Sequence, residues 1–509
     1  MVFRIKLSII MEPRPVGGQW LKERYNLVNY TMTHSSYIAD NPDMRLTSKG
    51  NIEQDYGPKY AVNAENDPLH HIEFYLKYDH LNLDFLQAIF KYIPSADAAA
   101  FISESPASKY SRRIGFFYEF LTGNQLALSR PVSGNYIDLL DADKYVTGGR
   151  ETSTRWRLNN NLLGTAEYCP VVRKTKELEG MLAQDLTEKI ESLKSDYPED
   201  IFRRATNYLY TKETRSSYEI EKEKPSADRT QKFVAILQMA GSETNAEMLE
   251  KKRLVALQNA IVDDRFANTD FRNDQNYVGA SLGNGQENFH YICPPPQIAP
   301  SLMKGLQALA IKTSDTAAEI RAGLIAFGFV FIHPFDDGNG RLHRFLIHDV
   351  LAHDKKVPQG IIIPVSAHML NNIKEYDTIL EKYSRPLMQR IKFTSSDIGK
   401  VEITNPNEVE GYFRYPELTD HCVYLLHTIH ETVKVDMPKE LTFVQRFDEA
   451  KKSIQQIVDM PDKLITLMLT FLHQNKGVVP KRRREEFAKL TDDEISRMEQ
   501  AYKLIYELD

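Results

Sequence analysis

His333-Pro334-Phe335-Asp336-Asp337-Gly338-Asn339-Gly340-Arg341-Leu342-His343-Arg344 is the stretch from which the 509-residue chain is best read. Upstream of it Ile320, Leu324, Phe327 and Phe331 recur at three- and four-residue steps, which predicts a helix over 316–331. Downstream, Leu342, Phe345, Leu346 and Val350 recur the same way. The stretch is therefore a loop between two helices, and it ends at the N-terminus of the second. Unsatisfied backbone N–H groups and the positive end of the helix dipole favour an anion there. Gly338 and Gly340 reach backbone conformations closed to other residues and let a phosphate approach closely. Arg341 and Arg344 stand three apart on the first helical turn, and two guanidinium forks so placed suit a polyphosphate. Asp337 is a hard oxygen ligand of the kind that holds Mg²⁺ together with substrate phosphates. His333 is the one group in the loop able to act as a base near neutral pH.

Taken singly, a histidine before a loop, a Gly-Asn-Gly turn and an Arg-x-x-Arg pair are ordinary structural features. Together, in this order, they match the pattern HxFx[D/E]GNGRxxR at every fixed position, and the chain resembles the Fic (filamentation induced by cAMP) family over roughly residues 205–390. The resemblance implies a helical core and transfer of AMP from ATP to a protein hydroxyl. By position, His333 would deprotonate the target Ser, Thr or Tyr, and Phe335 would anchor the loop in the core. Asp337 would hold Mg²⁺ on the α- and β-phosphates. Gly338, Asn339 and Gly340 would form the anion hole, while Arg341 would contact the phosphates and Arg344 the γ-phosphate. His343 falls on a variable position and reads as structural. Asn371, Asn372, Lys374 and Tyr376 lie where family members line the nucleoside pocket.

Two more features belong to that resemblance. Residues 276–292 carry short polar-apolar runs on either side of Gly283-Asn284-Gly285, which is a hairpin signal, and Pro294-Pro295-Pro296 stops the second run. This is the place of the family's β-hairpin flap, which holds a target segment by backbone pairing. Tyr277, Val278, Gly279, Ala280, Ser281 and Leu282 would form its docking strand. Many family members also carry an inhibitory helix of pattern [S/T]xxxE[G/N]. Ser217 and Glu221 fit it, four apart and so on one helix face, within a helix expected near 205–223. Lys222 stands where the pattern has Gly or Asn. Ser36-Tyr37-Ile38-Ala39-Asp40-Asn41 competes less well, with Asp in place of Glu. The implied logic is competition for charge: Glu221 on Arg344 would occupy the γ-phosphate position.

Outward from this centre, length alone suggests about three domains at ~150 residues each. The expected architecture is mainly α: an α+β N-terminal accessory domain over 1–195, a helical catalytic core with its β-hairpin flap over 196–395, and a helical C-terminal domain over 396–509, with a winged helix as one form for the last. Within the first, Phe116–Leu121 reads as a buried helix ending near Gly123, and 134–140 as a strand leaving a turn. Val2 to Ile9 alternate as a strand does. In the last, Leu464, Ile465, Met468 and Leu472 form one stripe, and Thr491 to Glu494 a capping box ahead of a helix burying Ile495, Met498, Tyr502 and Ile505.

With 42% hydrophobic and 26% charged residues, the chain is neither disordered nor collagen-like. Its net charge of −6 gives no global basic field, which argues against nonspecific DNA binding. Three scattered cysteines, with no CxxC, point away from a disulfide framework and toward a reducing compartment, and no apolar run is long enough for a membrane span. A cytoplasmic location follows as the expectation. The expected partners are ATP and a hydroxyl-bearing protein target, which includes a second copy of the chain, and the expected cofactor is Mg²⁺. The loop recognises a diphosphate and not a base, so another nucleotide or phosphodiester donor, and removal of AMP, stay open. A DNA-binding regulator using Lys481-Arg482-Arg483-Arg484 is the alternative of another class.

Overall fold

The computed structural model describes residues 12–48, 50–281, 287–395 and 400–508. The strand expected at Val2–Ile9, Leu282 and the Gly283-Asn284-Gly285 turn lie outside them. The described chain is mainly α, with twenty α-helices and four small sheets. It divides into two compact units, each assembled from separate stretches of sequence.

The first unit comprises residues 1–184, 225–355 and 372–427. It opens with a four-stranded sheet of Arg14–Val16, His34–Ile38, Asp43–Leu46 and Ile52–Tyr56. The second of these pairs antiparallel with the first and parallel with the fourth, and the third closes the far edge antiparallel to the fourth. Ser36 to Ile38 thus lie on a strand, which removes the Ser36–Asn41 segment as an inhibitory helix. The Lys109–Thr122 helix ends where Gly123 adopts φ +72°, and its Gly115 leaves room for Trp156. A short strand, Ile137–Asp138, follows the left-handed Gly134.

The elements around the His333–Arg344 loop sit in the same unit: helices Lys251–Ile261, Ala299–Lys312, Ala318–Ile332 and Asn339–His353, with hairpin strands Tyr277–Ser281 and Glu287–Ile292. The expected single apolar stripe of the 318–332 helix is only part of its surface. Fourteen of its fifteen residues are buried, so it is a helix enclosed on all faces. Small residues allow this: a Cβ on Gly328 would come 2.7 Å from Leu306 and one on Gly323 3.1 Å from Cys422. Its buried Arg321 is satisfied by Asp354, Asn245 and the Ala310 carbonyl.

The second unit comprises residues 185–224, 356–371 and 428–509. It holds the long Glu199–Ile220 helix, the short Val365–Asn371 helix, and the helices Met437–Ile457, Asp462–Gln474 and Asp492–Tyr506. Arg204 pairs with Asp448 at 2.8 Å and Lys212 with Glu440, fastening the long helix to the C-terminal ones. Ile465, Met468 and Leu472 are buried with Met498 and Tyr502, and Thr491 and Glu494 form the expected capping box. Among the described residues of 396–509 one short strand, Val401–Ile403, precedes the helices. The basic run lies on a short 3₁₀ helix, Lys481–Phe487, where Arg483 binds Glu486 and Arg484 binds Asp492 and two carbonyls. Among the described residues no helix is long and apolar enough to cross a membrane.

Candidate active site

The 318–332 helix ends because His333 adopts a left-handed conformation, φ +53° and ψ +59°. For a residue with a Cβ this is a strained position. It turns the chain out of the helix and starts the loop. His333 Nδ1 lies 3.1 Å from the Val330 carbonyl oxygen. A carbonyl only accepts, so Nδ1 carries the proton and Nε2 is the basic nitrogen of the ring.

The loop is shaped from inside by Asn339. Its Oδ1 accepts from the Phe335 N–H at 3.0 Å, and its Nδ2 donates to the Phe335 carbonyl at 2.8 Å. Asn339 is thus a buried clasp on the loop backbone. Phe335 is fully buried and packs edge-on against Phe271. Gly338, at φ +88°, is the N-cap of the 339–353 helix, and a Cβ there would meet Val262 at 2.9 Å. Both the conformation and the space require glycine.

Asp337 Oδ1 accepts from the Gly338 N–H at 2.6 Å and from Arg341 at 2.7 Å. Its side chain is 40% exposed, against 1% for Arg341. Arg341 also reaches the Ile261 carbonyl at 3.3 Å. Arg344 is buried as well, so two guanidiniums stand within the first two turns of one helix. A half-exposed carboxylate beside an anion-favouring helix start fits Mg²⁺, which takes one or two carboxylates and completes its shell with phosphate oxygens and water. Among the described residues no group of three or more His, Cys, Asp or Glu side chains could hold a metal by itself. His343 is enclosed, with its ring centroid 4.9 Å from that of Phe327, and burial pushes its pKa down to about 3, so it stays neutral and structural.

Residues 248–351 match the sequence model of the Fic/DOC family. They are a Fic domain. Among solved structures, a Fic family protein from Desulfovibrio desulfuricans G20 is 15% identical, with a TM-score of 0.36, covering 55% of this chain and 80% of that one. A Fic domain containing signaling protein from Bacteroides thetaiotaomicron VPI-5482 is 18% identical, with a TM-score of 0.32, covering 51% and 97%. No curated protein matches the chain.

The hairpin of the Fic domain pairs Tyr277 with Ile292, Val278 with Tyr291, Gly279 with Phe289, Ala280 with Asn288 and Ser281 with Glu287. A bulge after Val278 breaks the register, leaving His290 without an opposite residue. Val278 is exposed. Tyr376 is buried and stacks with its centroid 6.3 Å from that of His343, while Asn372 caps the helix it belongs to. Asn371 ends a helix of the other unit.

Ser217 and Glu221 lie at the end of the 199–220 helix. The Lys222 N–H donates to the Glu219 carbonyl at 2.9 Å and the Glu223 N–H to that of Tyr218 at 3.0 Å. That pair of bonds is a Schellman motif, and its left-handed position is Lys222, at φ +58°. Gly or Asn usually takes this position, and Lys222 adopts the conformation without being either.

Sequence reasoning missed the side chains that hold the loop from outside. Gln258, fully buried, donates to the Asp337 carbonyl at 3.2 Å. Asn276 donates to the Phe335 and Asp336 carbonyls, both at 3.2 Å, and Asn268 to Asp336 at 2.8 Å. Arg272 donates to the His333 carbonyl at 2.7 Å. Nothing in their spacing separates Asn268, Arg272 and Asn276 from the polar surface of an ordinary loop, or Gln258 from any polar residue of a helix.

Proposed function

We propose that the Fic domain transfers AMP from ATP to a Ser, Thr or Tyr hydroxyl of a protein. The observation that carries this reading is the loop itself: a base with a defined tautomer, a glycine N-cap and two buried arginines in one helical turn. As the hydroxyl oxygen attacks the α-phosphorus, His333 Nε2 takes its proton. The new O–P bond forms as the bond to the β-phosphate oxygen breaks, and pyrophosphate leaves. The turn at Gly338 lets backbone N–H groups at Asn339 and Gly340 donate to the phosphate oxygens, and Arg341 and Arg344 bind the outer phosphates. Asp337 would hold Mg²⁺, which when bound supplies neutralising charge on the phosphates. The exposed edge from Tyr277 to Ser281 seats the target backbone. Glu221 competes with the γ-phosphate for Arg344 and lowers transfer, Ser217 supporting that helix end.

Incubating the full chain with Mg²⁺ and α-labelled ATP, then measuring intact masses, tests the reading. Gain of one AMP on the chain or on a lysate protein supports it. No label from ATP, with label from another nucleotide, would move the donor and keep the site.

A further inference from the structure

Arg272 lies in the polar segment between the Lys251–Ile261 helix and the flap, and it is 3% exposed. Its backbone N–H donates to the Pro334 carbonyl at 2.8 Å. Its Nε donates to the His333 carbonyl at 2.7 Å, its Nη1 to that of Asp274 at 2.8 Å and its Nη2 to that of Pro294 at 2.6 Å. One planar guanidinium therefore ties together the start of the catalytic loop, the entry to the flap and the exit from it.

The His333 carbonyl is the acceptor that matters most. The left-handed turn at His333 takes that carbonyl out of the helical ladder, and Arg272 receives it. A strained conformation persists only where its surroundings over-determine it. Any rotation of the His333 backbone that moves the imidazole also breaks this bond. Asn276 adds a second tie, donating to the Phe335 and Asp336 carbonyls while its Oδ1 accepts from the Tyr277 N–H, the first of the flap strand.

We infer that Arg272 is a positioning residue which aims His333 and couples it to the flap, so that a target seated on the strand meets a base already oriented. The inference rests on the transfer reading of the loop. Gln258 provides the internal contrast. It holds the opposite, Asp337 end of the loop, and its hydrogen bonds go to Phe266, Asn268 and Asp337.

The test uses the full chain with Arg272→Lys, which keeps the charge but loses the planar fork that serves three carbonyls. Three readouts are taken: turnover, ATP dissociation constant, and the ¹⁵N-histidine spectrum, with His333 assigned by its loss in His333→Gln. The expected result is a turnover at least tenfold lower, ATP affinity within twofold of wild type, and a His333 ring that no longer holds the single Nδ1-protonated tautomer. Gln258→Met should instead shift ATP affinity and leave the His333 signal as in wild type. A folded Arg272→Lys with unchanged turnover and unchanged His333 spectrum overturns the proposal. So does equal loss of turnover and ATP affinity, which marks general loosening. If Arg272→Lys does not fold, Asn276→Ala cuts the second tie and is judged by the same two criteria, with a severalfold loss expected. A wild type that transfers no nucleotide, while Arg272→Lys still alters the His333 ring, would sink the transfer reading and leave the positioning role standing.

Discussion

The catalytic loop and the end of the 199–220 helix face the same backbone problem and solve it differently. Each needs a residue in the left-handed region to stop a helix or start one. In the loop the two positions are His333 at φ +53° and Gly338 at φ +88°; at the helix end it is Lys222 at φ +58°. Gly338 bears no steric penalty. His333 does, and Val330, Arg272 and the buried Phe335 beside it hold it there. Lys222 is exposed, and the two Schellman bonds close the turn around it. The contrast teaches that strain is retained where many partners fix it. Where it is merely a helix stop, a residue choice away from glycine weakens the device.

The largest effect should come from the strained base. His333→Ala is expected to lower transfer by ~10²–10⁴-fold while leaving ATP binding largely intact, because the imidazole acts on the attacking hydroxyl. Near wild-type turnover in that variant would remove His333 from the mechanism. Gly338→Ala attacks the unstrained counterpart. It forces a Cβ against Val262 and into a conformation that alanine resists, so a loss of roughly 1–3 kcal/mol in stability is expected, along with weakened nucleotide binding. Denaturant unfolding and ATP titration of the variant check both. An alanine tolerated on each count would mean that the N-cap backbone does not need its observed shape.

How much of this was legible beforehand divides along the same line. The loop's place between two helices could be read because apolar residues recur with helical spacing on both sides of it. The hairpin could be read from the short polar-apolar runs on either side of Gly283-Asn284-Gly285 and the prolines after them. The helix stop at Gly123 and the capping box at Thr491 and Glu494 were visible because caps are local. The ties of Arg272, Gln258 and Asn276 were not, since each is a polar residue whose partner is a backbone carbonyl up to 79 positions away. Backbone acceptors carry no sequence signature. Nor does periodicity reveal that 185–224 and 356–371 group with the C-terminal helices, because that follows from long-range pairs such as Arg204 with Asp448 and Glu213 with the Ser366 N–H.

A smaller effect, of opposite sign, is expected at the helix end. Glu221→Gln removes the carboxylate proposed to hold Arg344, and hydrogen bonds to charged groups are worth ~1.5–3 kcal/mol. Transfer should rise roughly tenfold or more, at ~1.4 kcal/mol per factor of ten. In an Arg344→Ala background the same change should do little, because no guanidinium is left to release. Asp40→Asn should leave turnover unchanged, since its segment follows a strand in the N-terminal sheet. If Glu221→Gln stayed at the wild-type rate while His333 proved essential, the enzyme would stand and the inhibitor would not.

The smallest effect tests the comparison itself. Lys222 holds a left-handed conformation that costs a residue with a Cβ roughly 1–2 kcal/mol, and glycine removes most of that cost. Lys222→Gly should therefore firm the Schellman turn. Slower hydrogen exchange of the Glu223 N–H, which donates to Tyr218, is the direct measure of that. Because Glu221 is the residue immediately before the turn, a firmer helix end should also keep its carboxylate in place for a larger share of the time. Basal transfer should then fall a few-fold below wild type, the reverse of Glu221→Gln. Combining the two separates the causes: with Glu221 already changed to Gln, Lys222→Gly should still slow exchange at Glu223 but leave transfer where Glu221→Gln put it. Slower exchange with no change in basal transfer would show that the turn is a helix stop alone. Faster exchange would mean that Lys222 itself makes a contact worth more than the strain it bears, and the contrast with Gly338 would fail.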